Sequence, residues 1–364
     1  MALSCGIVGL PNVGKSTIFN ALTRSAQAHA ANYPFATIEP NVGEVPVPDE
    51  RLSVLAELVK TRRIVPATVR FVDIAGLVRG ASEGAGLGNE FLGHIRETDA
   101  VAMVVRCFED ANVSHVEGAP DPARDIEILE IETALADIAT LRRKLERLER
   151  EARADPKLQP RVNAAHQLMA SLERGVPARH FEPSSLEQEL ASELFLLTQK
   201  PALYVANIDE GQLTQPGEML QTVRAMARRD GAGAIAICGK VEAELAGLNE
   251  NEARDFRHAM AIERSGLDQL IVTAYHLLGL MTFLTAGEKE VRAWTVRKGT
   301  RAPQAAGAIH SDLERGFIRA EIVSYDQYVK YKTMEAMRSA GVVRSEGKDY
   351  MMQEGDVANF KFAV

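Results

Sequence analysis

The stretch Gly9-Leu-Pro-Asn-Val-Gly-Lys-Ser16 constrains this chain more than any other, because its glycine and lysine spacing is that of a loop wrapping a nucleotide's phosphates. The apolar run Cys5–Val8 precedes it and suits a buried strand, and Ile18–Leu22 has the spacing of a packed helix. Strand, glycine-rich turn and helix follow each other in the order that the motif requires. The sequence therefore predicts a nucleotide-binding domain, with a glycine-rich turn that matches by chance as the alternative.

The chemistry of this loop follows from its residue types. Glycine at positions 9 and 14 lets the backbone adopt positive φ and approach a ligand closely, so that successive N–H groups form an anion nest at a helix N-terminus. Lys15 is predicted to reach the β- and γ-phosphate oxygens, and the Ser16 hydroxyl is predicted to bind Mg²⁺.

Three further residues stand where a GTPase-like domain senses the γ-phosphate. Thr37, in a loop rich in proline and polar residues, occupies the place of switch I, where a hydroxyl binds Mg²⁺. Asp73 ends a predicted strand and would hold a Mg²⁺-bound water, while the Gly76 N–H would meet the γ-phosphate. The four glycines between positions 80 and 88 predict a mobile switch II. The alternative for Asp73 is a helix-capping aspartate after a strand.

Length and composition limit the class of protein. The 364 residues suggest two or three domains, and 46% hydrophobic content allows a sizeable core. A net charge of −8 argues against a protein basic all over that coats nucleic acid, while allowing a local basic face. Cys5, Cys107 and Cys238 are far apart without metal-ligand spacing, which fits a reducing compartment. With no leader and no apolar stretch long enough to span a bilayer, we expect a cytoplasmic protein and no membrane contact.

Between residues 124 and 200 the pattern is that of long amphipathic helices. Asp155-Pro156 breaks the first helix, and a second apolar stripe over residues 162–172 predicts an antiparallel hairpin. Ser184-x-x-Glu187 is a candidate capping box for a third helix, with Leu186, Leu190, Leu194 and Leu197 on one face. Two interpretations of this helical region stay open: a structural arm and an arm that binds a partner. The stripe of the first helix consists of Ile131, Leu135, Ile138, Leu141, Leu145 and Leu148.

Strand-like and helical segments alternate elsewhere, which predicts a mostly parallel sheet with ligands at the carboxyl ends of its strands. The predicted strands include Ala100–Arg106, 201–207 and 234–238, followed by a helix from about Val241. After about residue 280, short alternating runs predict a small mixed sheet with one helix near residues 304–309, of β-grasp type. The runs are 291–296, 317–323, 350–352 and 359–364.

The base-recognition stretch is Asn207-Ile-Asp-Glu210, where GTPases have Asn-Lys-x-Asp and the carboxylate accepts from two guanine donors. Ile208 cannot supply the lysine, and Glu210 is one methylene longer than the expected aspartate. Adenine presents an acceptor at ring N1, so a close carboxylate would leave a lone pair unpaired. This favours ATP over GTP, although a one-residue shift onto Asp209 would restore a carboxylate.

The chain resembles the YchF or Obg-like ATPase family over essentially its whole length. The motifs that carry the resemblance are Gly9–Ser16, Asn32–Asn41, Asp73–Val78 and Asn207–Glu210. The resemblance implies an α/β fold in three parts, with ATP preferred over GTP and an association with ribosomes. The parts are a P-loop NTPase G-domain with a mostly parallel sheet (1–123 and 201–280), an α-helical coiled-coil insertion (124–200) and a C-terminal TGS domain of β-grasp fold (281–364).

The resemblance also assigns site residues by position. It gives Mg²⁺ to Ser16 and Thr37, and it lines the adenine pocket with Asn207, Ile208 and Glu210. The phosphate contacts that it implies are Asn12, Val13, Gly14, Lys15, Ser16 and Thr17.

Catalysis needs a group that positions the attacking water. Leu77 stands where many GTPases have glutamine, and leucine can neither donate nor accept a hydrogen bond. His115 matches a family histidine and is predicted to take this role beside Lys15, Asp73 and Gly76, the alternative being a solvent-exposed loop histidine. Asn12 lies where potassium-dependent relatives bind K⁺, which would neutralise transition-state charge; alternatively it only closes the turn.

Residues 281–364 carry 13 Lys and Arg against 11 Asp and Glu, so this part is basic relative to the whole chain. Trp294, Phe317, Tyr325, Tyr328 and Tyr331 lie among these cations, which suits RNA contact, whereas the alternative is the core of a small sheet. The function classes that stay open are a ribosome-associated ATPase, a GTPase of Obg type, and a nucleotide-gated RNA- or ribosome-binding protein with incidental hydrolysis.

Overall fold

The computed structural model describes residues 3–30, 38–39, 41–77, 80, 87–183, 185–260, 262 and 264–363. Thr37, most of the predicted switch II loop and Ser184 lie outside the described residues. The strands are β1 (Ser4–Val8), β2 (Ile38–Glu39), β3 (Val42–Pro46), β4 (Ile64–Val65), β5 (Thr68–Asp73), β6 (Ala100–Arg106), β7 (Ala202–Asn207), β8 (Gly233–Ile237), β9 (Leu280–Ala286), β10 (Val291–Arg297), β11 (Phe317–Ser324), β12 (Arg344–Glu346) and β13 (Asp356–Phe362).

The helices are α1 (Lys15–Ala30), α2 (Arg51–Val59), α3 (Leu87–Glu97), α4 (Pro122–Ala154), α5 (Gln159–Glu173), α6 (Leu186–Glu193), α7 (Glu218–Arg229), α8 (Gly239–Leu245), α9 (Glu250–Ala259), α10 (Gly266–Leu277), α11 (Ala302–Ile309), α12 (Ser311–Arg315), α13 (Tyr325–Tyr331) and α14 (Met334–Ser339). None of these helices is both long and apolar enough to cross a lipid bilayer.

A seven-stranded sheet forms the centre of the nucleotide-binding part, in the order β2-β3-β5-β1-β6-β7-β8. The pairs from β5 to β8 are parallel and β2 pairs with β3 in the antiparallel sense, so the predicted mostly parallel α/β sheet is confirmed. Strands β1, β6 and β7 are buried along their whole length, because a parallel sheet is covered on both faces. The register places Ile7 beside Asp73 and Arg106 beside Asn207, so the carboxyl ends of these strands meet at one edge.

The long helix α4 begins at Pro122. Its N-cap is Asp121, whose side chain accepts from the N–H groups of Ala123 and Arg124, and Pro122 takes the first helical position. Helix α5 returns along α4, which agrees with the predicted hairpin. Both helices share a core with α6 that consists of Leu141, Leu148, Val162, Ala164, Ala165, Leu168, Met169, Leu172, Ala178, Leu190, Ala191 and Leu196.

Two predictions about this helical region are wrong. Ile131 and Leu135 are 55% and 40% exposed, because the first half of α4 packs against β6 of the sheet and turns a different face inward than the second half does. Helix α6 is capped by Ser185, which accepts from the Gln188 N–H at 3.2 Å, and it ends at Glu193. Leu194 and Leu197 therefore lie beyond the helix, and the predicted four-leucine face does not form.

The C-terminal strands form a six-stranded sheet in the order β12-β11-β13-β9-β10-β4. Helix α11 confirms the predicted helix, and it packs on a core that includes Phe283, Phe317 and Phe360. The predicted strand at 350–352 is wrong: within it, only Met351 forms an isolated bridge, with Arg301. Three strands of this sheet were not predicted, namely β9, β12 and β4.

By contact density the chain divides into two compact units, Met1–Ala28 with Thr37–Gly43 and Arg70–Leu270, and His29–Ala36 with Glu44–Val69 and Ile271–Val364. Strand β4 belongs to the second unit and pairs in parallel with β10. The division of the chain into three named domains stays a prediction. Among the aromatic residues considered for RNA contact, Phe317 and Tyr328 are buried, as expected for core residues of a small sheet.

Candidate functional site

The phosphate loop is held in a tight turn between β1 and α1. A Cβ atom at Gly9 would overlap the Val104 carbonyl, and one at Gly14, where φ is +97°, would overlap the side chain of Asn207. Only glycine fits at these two places, as the sequence motif predicts. The loop leads directly into α1, whose first backbone N–H groups have no partner within the helix and are available to an anion.

Lys15 lies under this loop with its side chain drawn inward. The residue is 7% exposed, and its Nζ donates a hydrogen bond to the Leu10 carbonyl at 2.7 Å. Burial lowers the pKa of Lys15 to about 8, against the opposing effect of the Asp73 carboxylate, which raises it. Negative charge therefore balances the Lys15 ammonium group only in part, and a bound triphosphate would supply the rest.

The lowered pKa of Lys15 predicts a pH dependence of nucleotide binding. ATP stabilises the protonated amine, so the pKa rises on binding and a proton is taken up wherever the free lysine is neutral. We expect ATP affinity to be flat below pH about 8 and to fall by up to about tenfold per pH unit above it. Calorimetry in buffers of different ionisation enthalpy measures this uptake. A wild-type affinity that is constant across pH about 7 to 9.5 would contradict the coupling.

Ser16 and Asp73 lie together at the start of α1 and the end of β5. Ser16 Oγ donates to Asp73 Oδ2 at 3.1 Å, whereas Asp73 Oδ1 is buried and has no hydrogen-bond partner in the described part of the chain. Burial raises the pKa of Asp73, and the Ser16 hydrogen bond and Lys15 oppose this. An unpaired buried carboxylate oxygen beside a hydroxyl fits Mg²⁺, which binds phosphate sites through one or two protein oxygens or through its waters.

Gly76 and Leu77 follow Asp73 and lie against the phosphate loop. A Cβ at Gly76 would sit 3.0 Å from the Pro11 ring, and the Leu77 N–H donates to the Gly9 carbonyl at 3.1 Å. The structure therefore brings Gly76 to the loop, as predicted. Leu77 is 1% exposed, so its side chain faces the protein interior and not the site of a water.

A cleft of about 910 Å³ opens beside the phosphate loop, and it is large enough for a nucleoside. Its walls come from the phosphate loop, the loop after β6, the segment after β7 and helix α8. Five of the lining residues are acidic and one, Lys240, is basic, so the charge of the cleft does not favour a triphosphate within it. The lining residues are Asn12, Gly14, Thr17, Phe108, Glu109, Asp110, Val113, Asn207, Ile208, Asp209, Glu210, Gly211, Cys238, Gly239, Lys240, Ala243 and Glu244.

Asn207 braces the phosphate loop from below. It is 4% exposed; its Nδ2 donates to the Val13 carbonyl at 2.9 Å, and its Oδ1 accepts from the Gly239 N–H at 3.1 Å. Its amide thus ties two walls of the cleft together. The sequence placed Asn207 at the base edge, and the structure adds this supporting role, which the spacing of the motif did not reveal.

The other three residues of the base-recognition stretch each interact with a different part of the protein. Ile208 is 3% exposed, and its N–H donates to the Ile237 carbonyl at 2.9 Å. Asp209 accepts from the backbone and side chain of Gln212, each at 3.0 Å. Glu210 forms an ion pair with Lys240 at 2.7 Å. Lys240 was not predicted as a site residue, although its position at the start of the helix that follows β8 was a signal, since ligands bind at the carboxyl ends of parallel strands.

His115 is buried and held on both ring nitrogens. Its Nε2 lies 2.8 Å from Asp125 Oδ2, and its Nδ1 accepts from the Glu117 N–H at 3.2 Å, which places the proton of the neutral ring on Nε2. Arg124 pairs with the other Asp125 oxygen at 3.0 Å. The alternative of a solvent-exposed histidine is wrong, since the side chain is 1% exposed. A role of His115 in positioning water stays a prediction.

Replacing His115 by alanine should lower turnover while ATP affinity stays nearly unchanged. The substitution also leaves the buried Asp125 carboxylate with one hydrogen-bond partner fewer. We therefore expect the free energy of unfolding to fall by about 2 kcal/mol. Enzyme assays, calorimetry and denaturant unfolding measure the three quantities. His166→Ala is the control, because His166 pairs with Glu149 on an exposed surface and should matter little. Unchanged turnover in His115→Ala would remove His115 from the mechanism.

The remaining phosphate-loop residues are placed as follows. Asn12 has φ of +61°, and its Nδ2 donates to the Ser114 carbonyl at 3.1 Å, which joins the phosphate loop to the loop after β6. Val13 is buried, with its carbonyl on Asn207, and Thr17 lines the cleft. Thr37 cannot be placed, because it lies outside the described residues.

A parallel sheet whose central strand runs through a glycine-rich loop into a helix, with a buried lysine under the loop, defines the class of P-loop nucleotide-binding proteins. A family model described as "50S ribosome-binding GTPase" matches residues 4–152. The YchF-GTPase_C model, described as a protein of unknown function, matches residues 280–363.

Full-length relatives make the identification specific. The chain is 49% identical over 367 residues to the ribosome-binding ATPase YchF of Bacillus subtilis and 47% identical over 365 residues to that of Escherichia coli O157:H7, each covering 100% of both chains. The solved structure of the Schizosaccharomyces pombe YchF GTPase matches with a TM-score of 0.88 at 41% identity, covering 99% of this chain and 97% of that one. The chain belongs to the YchF family.

Proposed function

We propose that this protein is an ATP hydrolase that associates with the ribosome and is switched by the nucleotide it holds. The observation that carries the hydrolase assignment is the meeting of buried Lys15 and the unpaired Asp73 oxygen beneath the glycine-rich loop, which borders a nucleoside-sized cleft. The proposed association with the ribosome rests on the relatives, which are named ribosome-binding ATPases.

Magnesium is the cofactor of the proposed reaction. Ser16 would bind it directly, Asp73 would hold one of its waters, and Thr37 is proposed as the further ligand. When bound, the ion would supply positive charge that offsets the negative charge of the phosphate oxygens. Lys15 binds the same oxygens, and the Gly76 N–H is available to the γ-phosphate beside it.

The preference for ATP over GTP rests on the cleft. GTPases of this type present a lysine and an aspartate to guanine, but here Ile208 is buried and Glu210 is paired with Lys240 at 2.7 Å. Asp209 has both carboxylate oxygens on Gln212, so the one-residue shift that would restore guanine recognition requires breaking two hydrogen bonds.

We propose that the chain has the three domains named above. We also propose that its C-terminal domain contacts the ribosome, and that this domain binds ribosomal RNA. Three cations surround Glu321 on one face of the sheet: Arg338 at 3.4 Å, and Arg319 and Lys361 each at 3.6 Å. Glu321 is the one carboxylate that pairs with these three cations among the residues the structure describes, so two of the charges are left unbalanced there, which suits a phosphate backbone. The cytoplasm is the compartment that we propose for this function.

Purified ribosomes test the proposal. We expect slow ATP turnover alone, strong stimulation by ribosomes, and tighter cosedimentation in one nucleotide state than in the other. Stimulated turnover supports the hydrolase. Equal ribosome binding with ATP and ADP would contradict the proposed nucleotide switch and would also exclude a nucleotide-gated binding protein. Turnover of GTP in preference to ATP would favour the Obg-type GTPase. Comparing rates in potassium and sodium tests a K⁺ ion at Asn12, and equal rates would exclude it.

A further inference from the structure

Arg106, the last residue of β6, is an arginine almost wholly removed from solvent. It is 1% exposed and is among the largest fully buried side chains in the described part of the protein. Burying a guanidinium is costly unless its N–H groups find acceptors. No carboxylate lies within ion-pair distance of Arg106 among the described residues, so its partners must be neutral.

The partners are three backbone carbonyls of a single loop. Arg106 Nε donates to the Phe108 carbonyl at 3.0 Å, Nη1 to Val113 at 2.8 Å, and Nη2 to Asp110 at 3.1 Å. Its guanidinium carbon also lies 4.8 Å from the centre of the Phe108 ring. A planar fork with five donors reaches three diverging acceptors at once, which the point charge of lysine does less well.

The loop that Arg106 holds is one wall of the nucleotide cleft. Four of its residues line the cleft, and its far end is joined to the phosphate loop through the hydrogen bond from Asn12 to Ser114. Because the triphosphate belongs at Lys15, which does not line the cleft, the base would occupy the cleft itself, whose wall here includes Phe108 and Val113. The lining residues of the wall are Phe108, Glu109, Asp110 and Val113.

We propose that Arg106 is a positioning residue that fixes the wall against which the purine base lies, and thereby sets affinity for the nucleoside half of the nucleotide without touching the ligand. The inference rests on the proposed function, since it names a determinant of the same site. Its distinguishing consequence is that Arg106 matters for binding a nucleoside triphosphate and hardly matters for binding a bare triphosphate.

The test compares ATP with inorganic tripolyphosphate, both with Mg²⁺, on wild type, Arg106→Met and Arg106→Lys. We expect Arg106→Met to bind ATP about tenfold or more weakly and tripolyphosphate within about twofold of wild type, with Arg106→Lys between. In steady-state assays KM for ATP should rise while kcat stays near wild type, because the phosphate end is intact. Arg179→Met is the matched control: Arg179 pairs with Asp230 at 3.2 Å and does not line the cleft.

A second variant keeps the test decisive if Arg106→Met does not fold. Phe108→Ala retains the three carbonyl hydrogen bonds and removes the ring from the wall, so it should give the same selective loss of ATP. Equal losses of ATP and tripolyphosphate in the folded variants, or unchanged ATP affinity in Arg106→Met, would overturn the inference. Failure of the wild-type protein to bind ATP would instead overturn the proposed function.

Discussion

Replacing Lys15 by methionine should weaken ATP binding by about a hundredfold or more and remove measurable hydrolysis. The reason is the placement of the ammonium under the phosphate loop, where little solvent screens it and where Asp73 provides only partial counter-charge. The triphosphate therefore meets an almost unscreened positive charge. Calorimetry with ATP and a phosphate-release assay measure the two effects.

The same substitution should leave the unliganded fold intact, which separates a binding role from a structural one. Burial lowers the pKa of Lys15, so removing the charge relieves a desolvation cost while the hydrogen bond to Leu10 is lost. We expect the free energy of unfolding without nucleotide to change by less than about 1 kcal/mol. Lys157→Met is the control, because Lys157 is exposed between α4 and α5 and does not line the cleft. A Lys15→Met protein that hydrolyses ATP normally would contradict the assignment of the phosphate site.

Replacing Asn207 by alanine should cost both stability and ATP affinity. The change leaves the Val13 carbonyl and the Gly239 N–H without their side-chain partner and opens space beside Gly14. We expect the free energy of unfolding to fall by about 2–3 kcal/mol and ATP affinity to fall by about tenfold or more. Thermal unfolding with and without ATP, together with calorimetry, measures the change.

Asn207→Asp tests which end of the amide matters. The aspartate keeps an oxygen for the Gly239 N–H but turns a carboxylate oxygen towards the Val13 carbonyl, so acceptor faces acceptor. We expect it to bind ATP at least as poorly as Asn207→Ala does. Asn163→Ala is the control, because that asparagine makes only an exposed hydrogen bond with Gln159 on α5. Wild-type affinity in Asn207→Asp would show that the brace does not support the phosphate loop.

The phosphate loop and the parallel sheet could be predicted from the sequence because their signals are local. Glycine spacing fixes the turn at Gly9 and Gly14, and apolar runs bounded by turns fix β1, β6 and β7. Elements that depend on distant partners were missed. Strand β4 is two residues long and exists through its pairing with β10. Only Leu278 and Gly279 separate β9 from α10, so the apolar residues of the strand continue the apolar pattern of the helix.

The sequence predicted which residues form the site better than it predicted the contacts between them. Lys15, Ser16, Asp73 and Gly76 come together at the loop as their motifs indicate. The pairing of His115 with Asp125 and the pairing of Glu210 with Lys240 were missed, because a sequence pattern shows neither the burial of a histidine nor the partner of a carboxylate. The exposure of Ile131 was missed for a related reason, since helical periodicity does not tell which neighbour a helix packs against.

The proposed function depends most on a phosphate loop that binds a triphosphate beside a cleft that accepts adenine. Calorimetric titration of the purified protein with ATP and with GTP, each with Mg²⁺, tests both parts in one measurement. We predict that ATP binds and that it binds more tightly than GTP. Binding of neither nucleotide, or distinctly tighter binding of GTP, would contradict the account.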